Sequence, residues 1–299
     1  MDWPLALKQF AQYLRLERGR SANTLKAYQQ DLEQLQAWAQ EQDMRPVSMG
    51  QEALRHFLQS QAKAGKSPRT QARMRSSMRM FFTFLMEEEV RKENPMEGIE
   101  APQLGRKLPV YLTLDEVDAL LAAIDRSQSA GERDVAMIEV LYACGLRVSE
   151  LVGLRLEDVF RSDGLIRVVG KGNKERIVPI YPSALDALFR YIEEVRVHIP
   201  VQKDQTSFVF LNQRGRALSR VWVFKRLKAL AERAGIAKTI GPHTMRHTFA
   251  THLIQNGADI RVIQALLGHE SITTTEIYTH LEQVHLRDTV LTYHPKSAG

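Results

Sequence analysis

The chain has 299 residues, enough for two domains of ordinary size. Its 44% hydrophobic and 25% charged residues make a folding composition, and 41 Lys and Arg against 35 Asp and Glu leave a net charge of +6. No run of about 18 apolar residues exists to span a membrane, and the single cysteine, Cys144, rules out a disulfide framework or a multi-cysteine zinc site.

The opening Met1-Asp2-Trp3-Pro4 lacks the basic and apolar segments of a secretory leader, so a cytoplasmic chain is expected. Leu5, Phe10, Tyr13, Leu14 and Leu16 recur near helical spacing and predict a first helix. Ser21-Ala22-Asn23-Thr24 offers several N-caps for a second, with Leu25, Tyr28, Leu32, Leu35 and Trp38 on one face. Arg45-Pro46 interrupts the pattern. A third helix covers about 51 to 63, and Gly65-Lys66-Ser67-Pro68 ends it. A fourth runs from about 69 to 89, its core face built of Met74, Met78, Phe81, Phe82 and Leu85. Its Arg69, Arg73 and Arg79 cannot all turn inward, because unpaired buried charge is too costly. Prolines and glycines from Asn94-Pro95 to Pro109 then break all periodicity. This places a helical domain at 1–92, a linker at 93–108, a second domain at 109–285 and a terminal segment at 286–299.

The second domain reads as mixed. Thr113-Leu114-Asp115-Glu116 is a helix start capped by Thr113. A buried helix follows at about 132 to 143 and stops at Cys144-Gly145, where the cysteine reads as packing. Strands are predicted at 165–169 and 176–180, joined by the hairpin turn Gly170-Lys171-Gly172-Asn173-Lys174-Glu175. Phe208-Val209-Phe210-Leu211 reads as a short strand before a turn at Arg214-Gly215, and the chain beyond about 219 reads as helical. The fold class is mainly α with a small β-sheet.

The basic residues are unevenly spread. Seven, from Arg55 to Arg79, lie between Glu52 and Glu87 with no acid among them. Nine, from Arg214 to Arg246, lie between Asp204 and Asp259 with only Glu232 to oppose them. Two such stretches, one in each half, suggest two surfaces on one polyanion.

Several familiar sites are excluded. A P-loop needs Gly where Ser60 stands, and no Gly-x-Gly-x-x-Gly follows a strand. His243 and His247 are four apart, with His252 beyond, but Arg246 sits between them and no Glu is available as base. That arrangement disfavours zinc. A phosphodiester, by contrast, asks for arginines, which make two parallel hydrogen bonds to non-bridging oxygens and do not deprotonate. It also needs a nucleophile and a proton donor. Four segments carry such groups: Gly145-Leu146-Arg147-Val148-Ser149-Glu150, Gly170-Lys171-Gly172, His243-Thr244-Met245-Arg246-His247, and Leu266-Leu267-Gly268-His269 followed by Ile277-Tyr278-Thr279-His280. Taken singly, each has an ordinary reading, such as a surface ion pair for Arg147 and Glu150 or core packing for Tyr278. The ordered combination does not.

That combination resembles the tyrosine recombinase, or phage integrase, family. Together with the Ser21-to-Tyr28 segment it is similar to the Xer subfamily over nearly the whole chain. His294-Pro295 and Lys107-Leu108-Pro109 set it nearer the XerD branch than the XerC branch. The resemblance implies a SAM-like helical core-binding domain, which contacts DNA, followed by a catalytic domain. It implies Tyr278 as nucleophile, giving a 3′-phosphotyrosyl intermediate. Arg147 and Arg246 would stabilise the phosphate, Lys171 would be the general acid, His243 would assist the tyrosine proton and His269 would bind a phosphate oxygen. Glu150 would orient Arg147. No metal or cofactor is implied. The implied substrate is a dif-type DNA site, recombined through a Holliday junction to resolve chromosome dimers during cell division. The implied partners are a second Xer recombinase within a tetramer and an FtsK-type DNA translocase. The terminal segment, with Val284, Leu286, Val290 and Leu291, would dock on a neighbouring subunit; an ordinary terminal helix on its own core is the plainer alternative. The rival functions are a mobile-element integrase, a non-catalytic DNA-binding protein and a metal nuclease.

Overall fold

The computed structural model describes residues 1–19, 21–99, 110–128, 130–170, 174–268 and 280–297, with side chains from 284 onward in the last span. The chain forms two compact units, Met1–Lys107 and Leu108–Gly299.

The first unit is helical. Helix α1 (Trp3–Leu16) is capped by Asp2, which accepts from the Leu5 amide at 3.0 Å. Helix α2 (Ala22–Gln40) is capped by Ser21, and α3 (Gln51–Lys63) follows. Helix α4 spans Pro68–Glu87. Ser67 and Pro68, expected only to end α3, also open α4. Ser67 accepts from the Thr70 amide at 3.2 Å, and Pro68 occupies a first-turn position whose missing N–H costs nothing. Helix α4 packs on each of the other three. Phe81 meets Trp3 at 5.8 Å and Phe10 at 5.4 Å between ring centroids. Asp31 is buried on α2, where Arg73 of α4 pairs with it at 3.0 Å and Ser77 donates to it at 3.3 Å. Residues 93–99, assigned to the linker from sequence, carry Met96 and Ile99 buried in this core. The remainder of that stretch lies outside the described residues.

The second unit is built around α6 (Gly131–Cys144), whose residues are buried on every side. Helix α5 (Leu114–Ala122) precedes it behind a reciprocal capping box between Thr113 and Glu116. After the short α7 (Val148–Gly153) comes an antiparallel sheet of β1 (Val159–Phe160), β2 (Leu165–Val169) and β3 (Glu175–Pro179), in the order β1-β2-β3. Ile166 opposes Val178 and Val168 opposes Arg176. Helix α8 (Pro182–Arg190) lies along α6 and continues into one π-helical turn. The strand expected at 208–211 is reduced to isolated bridges, Phe208 with Arg155 and Leu211 with Ala217. The turn at Arg214-Gly215 folds the chain back before a ladder can grow. Helices α9 (Arg220–Arg233), α10 (Pro242–Gln255), α11 (Ile260–Leu267) and α12 (His280–Tyr293) complete the unit. Among the described residues no helix is long and apolar enough to cross a membrane.

Helix α12 lies against β3, α10 and α11 of its own unit. Leu286 and Val290 are buried there, and His294 follows into a box formed by Tyr142, Tyr181 and Phe249. Lys296 holds the segment down through Asp118 at 2.7 Å.

Candidate phosphate-binding site

The site begins where α6 ends. Gly145 has φ +56°, and a Cβ there would lie 2.5 Å from the Phe249 ring, so both the left-handed turn and the close approach require glycine. The tight turn puts Arg147 at the N-cap of α7 and Glu150 on its first turn. The Arg147 amide donates to Glu150 Oε2 at 2.7 Å and its Nη1 donates to Oε1 at 2.9 Å. From β3, Arg176 closes on the same carboxylate, with Nη1 2.9 Å from Oε1 and Nη2 2.8 Å from Oε2. The Glu150 side chain is 2% exposed. Burial by itself would raise its pKa, but the hydrogen bonds and charge of Arg176 and Arg147 outweigh that and hold it below the usual carboxylate range. An ionised carboxylate thus sits beneath two guanidiniums.

The other half comes from α10 and α11. Gly241 and Pro242 start α10, which puts His243 exposed on the first turn and Arg246 one turn further in. Arg246 donates from Nη1 to the Gly145 carbonyl at 2.8 Å and from Nη2 to the Leu267 carbonyl at 2.5 Å. Helix α11 stops at Gly268, φ +63°. Its last carbonyls, which have no partner inside the helix, are taken by arginines. Arg176 Nε donates to Leu266 at 2.8 Å, Arg246 to Leu267, and Arg147 Nη2 to Gly268 at 3.2 Å. The partial negative charge of a helix C-terminus suits this.

Three guanidiniums therefore converge on one carboxylate and three successive carbonyls. Formal charge is two in excess on the positive side. The crowding registers on Arg246, whose pKa falls to about 10 through burial, the neighbouring Arg147 and, more weakly, Arg176, with Glu150 opposing. It stays protonated at neutral pH. Such a centre suits a tetrahedral oxyanion that gains charge during reaction.

Of the residues expected from sequence, the structure brings Arg147 and Arg246 together and places Glu150 between Arg147 and Arg176. His243 lies on the first turn of α10, three positions before Arg246. Lys171, His269 and Tyr278 lie outside the described residues; the base of the hairpin that carries Lys171 is closed by the Gly170 amide donating to Lys174 O at 2.7 Å. Sequence reasoning passed over Arg176. The signal was alternation: Arg176 and Val178 share the buried face of β3, and an inward arginine demands a buried carboxylate. His252, part of the rejected zinc pattern, turns away to share a 2.7 Å hydrogen bond with the Tyr142 hydroxyl. Among the described residues no three His, Cys, Asp or Glu side chains gather as metal ligands. Cys144 is buried, and burial pushes its thiol well above the usual range, so it serves as packing.

Residues 110–285 match the phage integrase family, and residues 7–89 match the phage integrase N-terminal SAM-like domain. A tyrosine recombinase XerD of Listeria monocytogenes is 43% identical over 293 residues, 97% of this chain and 99% of the relative. A tyrosine recombinase XerD of Pseudomonas putida is 42% identical over 296 residues, covering 99% of each chain. Among solved structures, a XerA recombinase is 30% identical, with a TM-score of 0.51 over 99% of this chain and 100% of that one. A XerH recombinase bound to a palindromic difH substrate shares the fold, with a TM-score of 0.72 at 24% identity over 95% of this chain and 84% of that one.

Proposed function

The chain belongs to the phage integrase family, and from that premise we propose that it is a site-specific tyrosine recombinase that cuts and rejoins double-stranded DNA without a metal ion. The observation that carries this reading is the joint anchoring of Arg147 and Arg246 on adjacent carbonyls, Gly268 and Leu267, beside the ionised Glu150. Two guanidiniums held in this way face one phosphate without reorganising during the reaction.

The Tyr278 hydroxyl attacks the scissile phosphorus. The bond from phosphorus to the 5′-oxygen breaks, Lys171 supplies the proton that leaves with the 5′-hydroxyl, and a 3′-phosphotyrosine remains. His243 assists the tyrosine proton, and His269 donates to a non-bridging oxygen. A second 5′-hydroxyl then attacks the phosphotyrosine, releasing Tyr278 and restoring a phosphodiester. One bond replaces another of similar energy at each step, so no nucleotide is consumed.

The target is a dif-type site, where exchange through a Holliday junction resolves chromosome dimers during cell division. Residues 1–92 act as the core-binding domain and 109–285 as the catalytic domain. The partners are a second Xer recombinase in a tetramer and an FtsK-type DNA translocase. Residues 286–299 dock on a neighbouring subunit, while within the single chain Leu286, Val290 and His294 fill the core of their own unit.

The test is a nicked duplex carrying a dif-type site, incubated with the protein in parallel with magnesium and with chelator, and resolved on a denaturing gel. A covalent protein–DNA band that disappears in Tyr278→Phe is expected. Metal-dependent cutting with no adduct would overturn the proposal in favour of a nuclease, and preference for mobile-element ends over dif would reassign the target.

A further inference from the structure

Arg176 is the guanidinium of the cluster that the phosphate chemistry does not use. Its side chain is only 6% exposed and it lies in β3, so its backbone is fixed by the ladder to β2. It makes three hydrogen bonds: two to the Glu150 carboxylate and one, from Nε, to the Leu266 carbonyl. Glu150 in turn holds Arg147 through Nη1, and the end of α11 holds Arg147 and Arg246 through Gly268 and Leu267. Gly268 leaves room for it: a Cβ there would lie 3.2–3.4 Å from the Arg176 side chain.

We propose that Arg176 is a positioning residue for DNA cleavage: by clamping Glu150 to the last turn of α11 it sets where Arg147 meets the scissile phosphate. The assignment rests on the recombinase reading above. Only arginine offers a planar fork for the carboxylate and a third donor at the angle needed for Leu266; lysine keeps the charge but loses the fork. Glu150, held from both sides, cannot swing toward solvent and take Arg147 with it. Misplacing a group that stabilises the transition state slows chemistry while leaving ground-state DNA binding, spread over many phosphates, almost untouched.

The experiment compares the full-length protein with Arg176→Lys, Arg147→Lys and the double variant on the nicked dif-type duplex. DNA affinity is read by gel shift, the single-turnover rate of covalent adduct formation on saturating protein, and the melting temperature alongside. Arg176→Lys is expected to bind within about twofold of wild type and to cleave about 10- to 100-fold more slowly. Because Arg176 acts largely through Arg147, the double variant is expected to be little slower than Arg147→Lys, the losses failing to multiply. Losses that multiply, or a wild-type rate in Arg176→Lys, overturn the assignment while leaving the recombinase reading standing. Should Arg176→Lys melt below the assay temperature, Glu150→Gln probes the same link from the other side, with the same non-multiplying loss expected and a multiplying one overturning it. A wild-type protein that forms no Tyr278-dependent adduct overturns the recombinase reading, and this assignment with it.

Discussion

Arg246 donates to the carbonyl of Gly145 at 2.8 Å, across 101 positions of sequence. The bond ties the helix that carries one site arginine to the turn that presents the other, Arg147, two residues on. Replacing Gly145 by Ala forces a side chain to φ +56° and drives its Cβ into Phe249. Left-handed backbone costs about 1–2 kcal/mol and overpacking about 1–3 more. A total loss of about 2–5 kcal/mol is expected in urea unfolding, and a loss of only about 1–2 kcal/mol would mean that the Phe249 ring steps aside and leaves the backbone cost alone.

Arg147→Lys and Arg246→Lys are each expected to slow adduct formation about 100- to 1,000-fold, the cost of losing one preorganised donor. Duplex affinity should change little, and its logarithm should fall linearly with the logarithm of salt concentration in all three proteins. Equal losses of binding and cleavage would place these arginines in DNA docking and not in transition-state stabilisation.

His294 gives the second unit an acid limit. Its Nδ1 accepts from the Lys296 amide at 3.3 Å and its Nε2 faces the Tyr142 carbonyl at 3.4 Å, so the neutral ring with a proton on Nε2 satisfies both. Burial, with smaller contributions from His252 and Lys296, pushes its pKa down to about 3, against an ordinary value near 6.5. The unfolded chain therefore binds the extra proton between those values. Stability from this group is complete above about pH 6.5 and declines toward pH 3 by up to about 1.4 kcal/mol per unit. His252, also lowered by burial, adds in the same direction. Urea midpoints from pH 7 to 4 should fall in wild type and fall less in His294→Phe, which keeps the aromatic contacts. Parallel profiles would show that His294 titrates normally.

Asp31 gives the first unit the opposite dependence. Burial pushes its pKa up to about 6, with Arg73, Ser77 and Lys66 pulling the other way. Between about pH 6 and the ordinary carboxylate value near 4, the folded state binds more protons than the unfolded one. This group therefore contributes more stability as pH falls from 6 to 4. Amide exchange measured across the full-length protein should show α2 and α4 better protected at pH 5 than at pH 7 after correction for intrinsic rates. In Asp31→Asn the difference should vanish. A difference that survives the substitution would assign it to another group.

Much of this molecule is local and so can be read in order. Apolar spacing marks α1 to α4, and Ser21 and Thr113 cap the helices expected of them because a cap hydrogen bond spans only three residues. The hairpin, the glycine stop after Cys144 and the i, i+3 pair of His243 and Arg246 are equally short-range. The expected strand at 208–211 failed because its partners, Arg155 and Ala217, offer one bridge each and no ladder. Arg176 was overlooked because the residues it bonds, Glu150 and Leu266, lie 26 and 90 positions away.

The sequence alone determined the inventory: which helices form, which cations are available and in what order they come, since each follows from contacts within a few residues. Only the tertiary structure decided which arginines share a carboxylate and which carbonyls they close on. It also decided that Leu286, Val290 and His294 fill the core of their own unit in the single chain. Those pairings bring together groups far apart in the chain. They depend on how α6, β3, α10 and α11 pack, and periodicity within one element carries no record of its neighbour.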